Sequence, residues 1–95
     1  MFVLVHHDVK QPEAFWARSQ EALGNLPREL TLHHCLAAQD GTRATCLWEA
    51  ASPEAVSAFL DPLHDGVADN EYRAAENSEG IAVPQRYQIA PPASA

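Results

Sequence analysis

A chain of 95 residues is long enough for one compact core and too short for two. Six Lys and Arg are scattered against 13 Asp and Glu, for a formal net charge of -7, so the clustered cations that hold a nucleic-acid backbone are missing. No apolar run approaches the ~20 residues that span a bilayer. The opening Met1 to Val5 is cut short by His6, His7 and Asp8 before it can read as a signal peptide, which makes the cytoplasm the expected compartment and reduced thiols the simplest state of Cys35 and Cys46.

Residues 2–9 are apolar, rich in β-branched side chains and free of breakers, which predicts a first strand ending near Val9. Pro12, whose fixed φ suits the first helical position, and Glu13 in the first turn predict a helix start. Phe15, Ala22, Leu23 and Leu26 form its apolar stripe, and Gly24, Asn25 and Pro27 stop it. Leu30 to Ala38 and Arg43 to Ala50 read as two strands, and Asp40-Gly41 between them is a strong hairpin signal. Ser52 supplies an N-cap oxygen, Pro53 the first helical position, and Val56, Phe59, Leu60 and Leu63 a second stripe that ends around Pro62 to His64. Beyond Gly66 the signals predict a helical turn at 67–70, a strand near 71–76 and an extended piece at 85–90, before a frayed tail at 91–95. The single domain therefore spans 1–90.

This order of elements predicts an α+β fold of the ferredoxin-like βαββαβ kind, with helices on one face of an antiparallel sheet. Both faces of the predicted strands carry large apolar residues, and a bare apolar sheet face is more than a monomer usually exposes. A homodimer, sheet facing sheet, is the expected partner arrangement.

A turn centred between Asp40 and Gly41 places Cys35 opposite Cys46, His34 opposite Leu47 and His33 opposite Trp48, unless a one-residue bulge shifts the register. One face then holds His33, Cys35, Ala37, Ala44, Cys46, Trp48 and Ala50, a mostly small set suited to close helix packing. The other holds Leu30, Leu32, His34, Leu36, Thr45, Leu47 and Glu49, joined by Phe2, Leu4, His6 and Asp8 from the first strand. Glu49 on a buried face needs a partner, and a histidine or a metal ion is the simplest one.

Five histidines, four of them in His-His doublets, are the most unusual feature of the composition. Imidazoles with a carboxylate suit a divalent transition metal such as Ni, Zn or Cu, with His6, His34 and Glu49 as first-choice ligands and His7, His33 and Cys35 as alternates. The bland alternative is partly buried histidines bonded to backbone or water. Cys35 and Cys46 fit packed small hydrophobes, a disulfide or soft ligands. Phe15 and Trp48 read as core, His64-Asp65 as a helix C-terminal pair, and Asn70-Glu71-Tyr72 as a loop or a cavity mouth. An enzyme without cofactor is the competing reading. In it His34 is a general base positioned by Glu49, Tyr72 orients the substrate, and Leu32, Leu36 and Leu47 line an apolar chamber that must not be filled by those leucines.

The segment His34-Cys35-Leu36, the Asp40-Gly41 turn, Cys46-Leu47-Trp48-Glu49-Ala50 and Ser52-Pro53-Glu54-Ala55-Val56 together resemble the nickel-responsive, ferredoxin-like domain family of the dimeric α/β-barrel superfamily. The resemblance covers 33–60, about a third of the chain, and departs from the pattern after Leu60. It implies a homodimer with facing sheets and a metal or small ligand near the interface. The same superfamily holds cofactor-free monooxygenases, cyclases and isomerases as well as haem-binding members, so fold alone does not choose a chemistry. A purely structural or regulatory dimer, with incidental histidines, is the third reading.

Overall fold

The computed structural model describes residues 1–75; the extended piece expected at 85–90 and the tail at 91–95 lie outside them. The elements run β1 (Phe2–Val9), α1 (Pro12–Leu23), β2 (Thr31–Ala37), β3 (Arg43–Glu49), α2 (Pro53–Leu63) and β4 (Ala68–Ala74). They build an α+β unit with one antiparallel sheet in the order β2-β3-β1-β4, an arrangement compatible with a small ferredoxin-like fold. Among the described residues no helix is long and apolar enough to cross a membrane.

Local chemistry sets the element ends. Ser52 Oγ accepts a hydrogen bond from the Ala55 N–H at 3.2 Å, and Pro53 follows in the first turn of α2, where its missing N–H is harmless. The carbonyls of Leu63, the last residue of α2, and of Asp65 just beyond it accept bonds from the Arg18 guanidinium of α1, at 3.2 and 3.3 Å. That contact ties the two helices together at groups a helix leaves unpaired. In the β2–β3 hairpin Gly41 takes φ +77°, which a side chain at that position would resist. Asp40 Oδ1 closes the turn by accepting from the Thr42 N–H at 3.0 Å and hydroxyl at 2.7 Å.

The central strand alternates cleanly. Val3, Val5, His7 and Val9 are buried on the side that meets the helices. Val3 and Val5 pack with Cys46, Trp48, Val56 and Leu60, while Val9, Phe15 and Val67 form a second small cluster. Phe2, Leu4, His6 and Asp8 point to the open face.

Three expectations need correcting. First, β2 carries an irregularity between Leu32 and His34. Leu32, not His33, lies opposite Trp48, whereas Cys35 faces Cys46 and His34 faces Leu47 as expected. A bulge moves side chains on its two sides out of phase, so Leu30 and Leu32 join the helix-side core while His33 turns to the open face. Second, the last described strand is Ala68–Ala74 rather than a helical turn followed by a strand at 71–76. Gly66, at φ +79°, reverses the chain early, and the Val67 carbonyl takes bonds from the N–H groups of Lys10 and Gln11, at 2.8 and 3.1 Å. Extended pairing to β1 can therefore begin at Ala68. Third, Cys35 and Cys46 are joined as a disulfide across β2 and β3, with Cα atoms 4.0 Å apart, rather than packed as thiols.

The predicted stripe of α1 is only partly used. Phe15 is the buried residue of this helix, and Leu23 stays 45% exposed. Ala22 and Leu23 line an open space between α1 and the sheet instead of filling it.

Candidate functional site

That space is a cavity of about 240 Å³ bounded by α1, α2 and the helix-side face of the sheet. Its wall is apolar over most of its extent, with Phe15, Leu23, Leu32, Trp48, Phe59 and Leu63, and His7, Ser19 and His64 provide polar groups. Trp48 is 3% exposed and its indole packs edge-on near Phe59, ring centroids 6.2 Å apart. Its Nε1–H is the one buried side-chain polar atom without a hydrogen-bond partner among the described residues. An orphaned buried donor costs about 1–3 kcal/mol, and this one has no exposed surface through which an acceptor could reach it.

His7 and His64 are among the most buried polar residues, at 4% and 2% exposure. Their rings stand perpendicular, centroids 5.4 Å apart, and the Phe15 ring lies 5.2 Å from His7 and 4.5 Å from His64. Asn70 joins them. The logic of the network starts at Tyr72, whose hydroxyl donates to Asp61 Oδ1 at 2.6 Å. With its only proton spent there, the Tyr72 oxygen can only accept, and Asn70 Nδ2 donates to it at 3.2 Å. The second Nδ2 proton goes to His64 Nδ1, also at 3.2 Å, which is closer than the alternative acceptor Asp61 Oδ1 at 3.5 Å. The Asn70 amide is thus fixed with Oδ1 toward His7, where it accepts from Nδ1–H at 2.6 Å.

Both tautomers follow from this fixed amide. Neutral His64 accepts at Nδ1, so it carries its proton on Nε2 and donates to Ser19 Oγ at 3.1 Å. Neutral His7 carries its proton on Nδ1, and its Nε2 meets no hydrogen-bond partner among the described residues. Burial disfavours the imidazolium in each case. For His64, burial first, then the nearby His7 and Arg18 charges, push the pKa down to about 4, partly opposed by Asp61. For His7, burial pushes the pKa down, partly opposed by the Asn70 hydrogen bond and reinforced by His6. Burial and the Asp61 hydrogen bond push the Tyr72 phenol up, so it remains a donor throughout the ordinary pH range.

The residues singled out from the sequence fall on both sides of the sheet. His6 is on the open face, its Nδ1 3.2 Å from Thr45 Oγ1. Glu49 pairs with His33 Nε2 at 3.0 Å, not with His34, because the bulge brings His33 to the open face beside Phe2, ring centroids 5.6 Å apart. His34 is exposed on that face, opposite Leu47. His6 pairs with Thr45 and Glu49 with Phe2, so His6 and Glu49 stand four residues apart along the strands, about 13 Å. Among the described residues no group of three or more His, Cys, Asp or Glu side chains converges as a metal would need. Tyr72 lies opposite buried Val5, across the sheet from His34. Of the three leucines expected to line one chamber, Leu32 lines the helix-side cavity, whereas Leu36 and Leu47 face the other way.

Sequence reading passes over Asp61 and Ser19, takes His64 for a helix C-terminal residue and offers Asn70 only as part of a loop or a cavity mouth. The available signal was the two-residue spacing of Asn70 and Tyr72, which puts both on one strand face once β4 is known to start at Ala68. Family models, curated proteins and solved structures yield no match to this chain. Its chemistry rests on its own geometry.

Proposed function

We propose that the chain is a small-molecule-binding domain whose site is the cavity between the helices and the sheet, taking a largely apolar, ring-containing organic ligand. The observation that carries this reading is a largely apolar cavity of about 240 Å³ between the helices and the sheet, with His7, Ser19 and His64 as the polar residues on its wall. An apolar cavity of about 150 Å³ is enough for benzene, so about 240 Å³ has room for a fused bicyclic system. Apolar walls with few polar groups are the usual composition of such sites.

The test is a thermal-shift and tryptophan-fluorescence titration with bicyclic aromatic ketones. Saturating ligand at about 100 times Kd raises stability by about 2.7 kcal/mol. Ala22→Phe, which fills the cavity from α1, is expected to abolish the shift while leaving the protein folded. Absence of any shift across such a series, or an equal shift in the filled variant, overturns the reading.

A homodimer through the open sheet face belongs to the same proposal. What supports it is the apolar content of a face that no described helix covers: Phe2, Leu4 and Leu47 are only partly buried there, and Leu36 is 71% exposed. The fold of the pair would then be a dimeric α/β barrel, with the ligand sites on the outer, helix-bearing sides rather than between the sheets.

A further inference from the structure

We propose that the Cys35–Cys46 disulfide is a thiol-exchange site, with Cys35 as the sulfur that a low-molecular-weight thiol attacks and Cys46 as the sulfur it releases. The bond itself is symmetric, and the fold makes its two ends unlike.

Cys46 lies in β3, inside the sheet, at 4% exposure, and it packs with Val3, Val5, Trp48, Val56 and Leu60. Cys35 lies in β2, at the edge of the sheet, and it is exposed, as is every residue from His34 to Asp40. An exposed disulfide is of the labile, exchanging kind, and this one is shielded at one end only.

A thiolate displaces one sulfur by approaching the other from behind, so access to that rear side decides which sulfur is attacked. The strand register separates the two approaches. Behind Cys46, seen from Cys35, stands Val5 of β1, which pairs with Cys46 and is fully buried. Behind Cys35, seen from Cys46, no strand lies beyond β2 among the described residues. An incoming thiolate therefore reaches Cys35 from solvent and finds Cys46 closed. The neighbours His34 and Leu36 point to the open face of the sheet, so pairing of two copies through that face leaves Cys35 accessible.

In the first step the thiolate RS⁻ bonds to Cys35 Sγ as the Cys35–Cys46 bond breaks. The electron pair of that bond leaves on Cys46 Sγ, which takes up a proton from water. A second thiolate then attacks the outer sulfur of the mixed disulfide, forming RSSR and leaving Cys35 as a thiolate. The sum oxidises two thiols to one disulfide and reduces the protein disulfide to two thiols. Both cysteines line the helix-side cavity, so the exchange takes place on its wall.

The experiment incubates the oxidised full chain with reduced glutathione, quenches it with N-ethylmaleimide in denaturant, and cuts it with trypsin. Cleavage after Arg43 separates the two cysteines, and mass spectrometry reads each peptide. Glutathione is expected on the Cys35 peptide in at least tenfold excess over the Cys46 peptide, with Cys46 recovered as the maleimide adduct. Single-cysteine variants probe access by the reverse step, in which the remaining thiolate attacks oxidised glutathione and releases reduced glutathione. Cys46→Ala should be thiolated at least tenfold faster than Cys35→Ala, and the two rates should converge in urea. The wild-type mapping decides the matter if either variant fails to fold. Equal glutathione on the two peptides, or more on Cys46, overturns the proposal. So does a disulfide that stays intact under glutathione, or a pair that remains as two thiols in oxidised glutathione.

Discussion

Acidification should destabilise this protein well above the pH at which its carboxylates titrate. His64 has an ordinary pKa of 6.5 and is pushed down to about 4 in the fold. Between those values the unfolded chain binds a proton that the native state refuses, so stability falls as pH falls through the window from 6.5 to 4 and is constant on either side of it. At pH 5 the unfolded imidazole is almost fully charged and the native one almost fully neutral. The difference relative to pH 7 is about 2 kcal/mol, rising to about 3 kcal/mol once the native group also titrates. His7, lowered by burial, acts with the same sign. Asp40, held below its ordinary 3.8 by the Thr42 hydrogen bonds, retains its contribution until the pH falls beneath that value, outside the window. The structural reason for the His64 effect is specific: protonated Nδ1 would confront the Asn70 Nδ2 protons, two donors face to face in a dry site. Urea unfolding followed by tryptophan fluorescence at pH 7 and pH 5 should show the loss, with a drop in Tm on the order of 8–16 °C. His64→Gln should shrink the pH dependence to the His7 part. Equal stability at the two pH values, or an NMR titration of His64 with a midpoint near its ordinary 6.5, would refute the reasoning.

Two further predictions concern other parts of the molecule. Asn70→Leu removes the amide that serves His7, His64 and Tyr72 at once, and leaving buried polar groups unpaired is expected to cost about 2–3 kcal/mol in urea unfolding; a loss under ~0.5 kcal/mol would show that water replaces the amide freely. Leu36→Lys places a charge on the open sheet face at a residue 71% exposed, so monomer stability should change by no more than about 0.5 kcal/mol. Sedimentation should shift toward the monomer mass, and an unaltered mass would remove this face as the pairing surface.

How much of this was legible in the sequence follows from the range of each signal. The hairpin at Asp40-Gly41 and the start of α2 at Ser52-Pro53 depend on adjacent residues, and both are found where expected. Cys35 opposite Cys46 follows from counting out from that turn, and it is found as well. The count fails beyond His34, because nothing in Leu32-His33-His34 announces an extra residue, and the side chains before it change sides. Glu49 does find a histidine partner, as its chemistry requires, but it is His33 rather than His34. The site network was hidden for a different reason. Ser19, Asp61, His64 and Asn70 come from α1, α2, the residue after α2 and β4, and only packing of those elements brings them together. A buried histidine pair served by one amide has no spacing that a linear reading can recognise.

The extra residue at His33 also acts as a phase switch written into one strand. Residues preceding it obey one inside-outside parity and those following it obey the opposite one, so a related chain lacking that single position would keep every side chain on its face while its numbering fell one residue out of step over the first half of the strand. Any comparison of β2 that aligns it without a gap would therefore equate a cavity-lining leucine with a residue bathed in solvent. The true correspondence has to be anchored separately from Leu32 backwards and from His34 forwards.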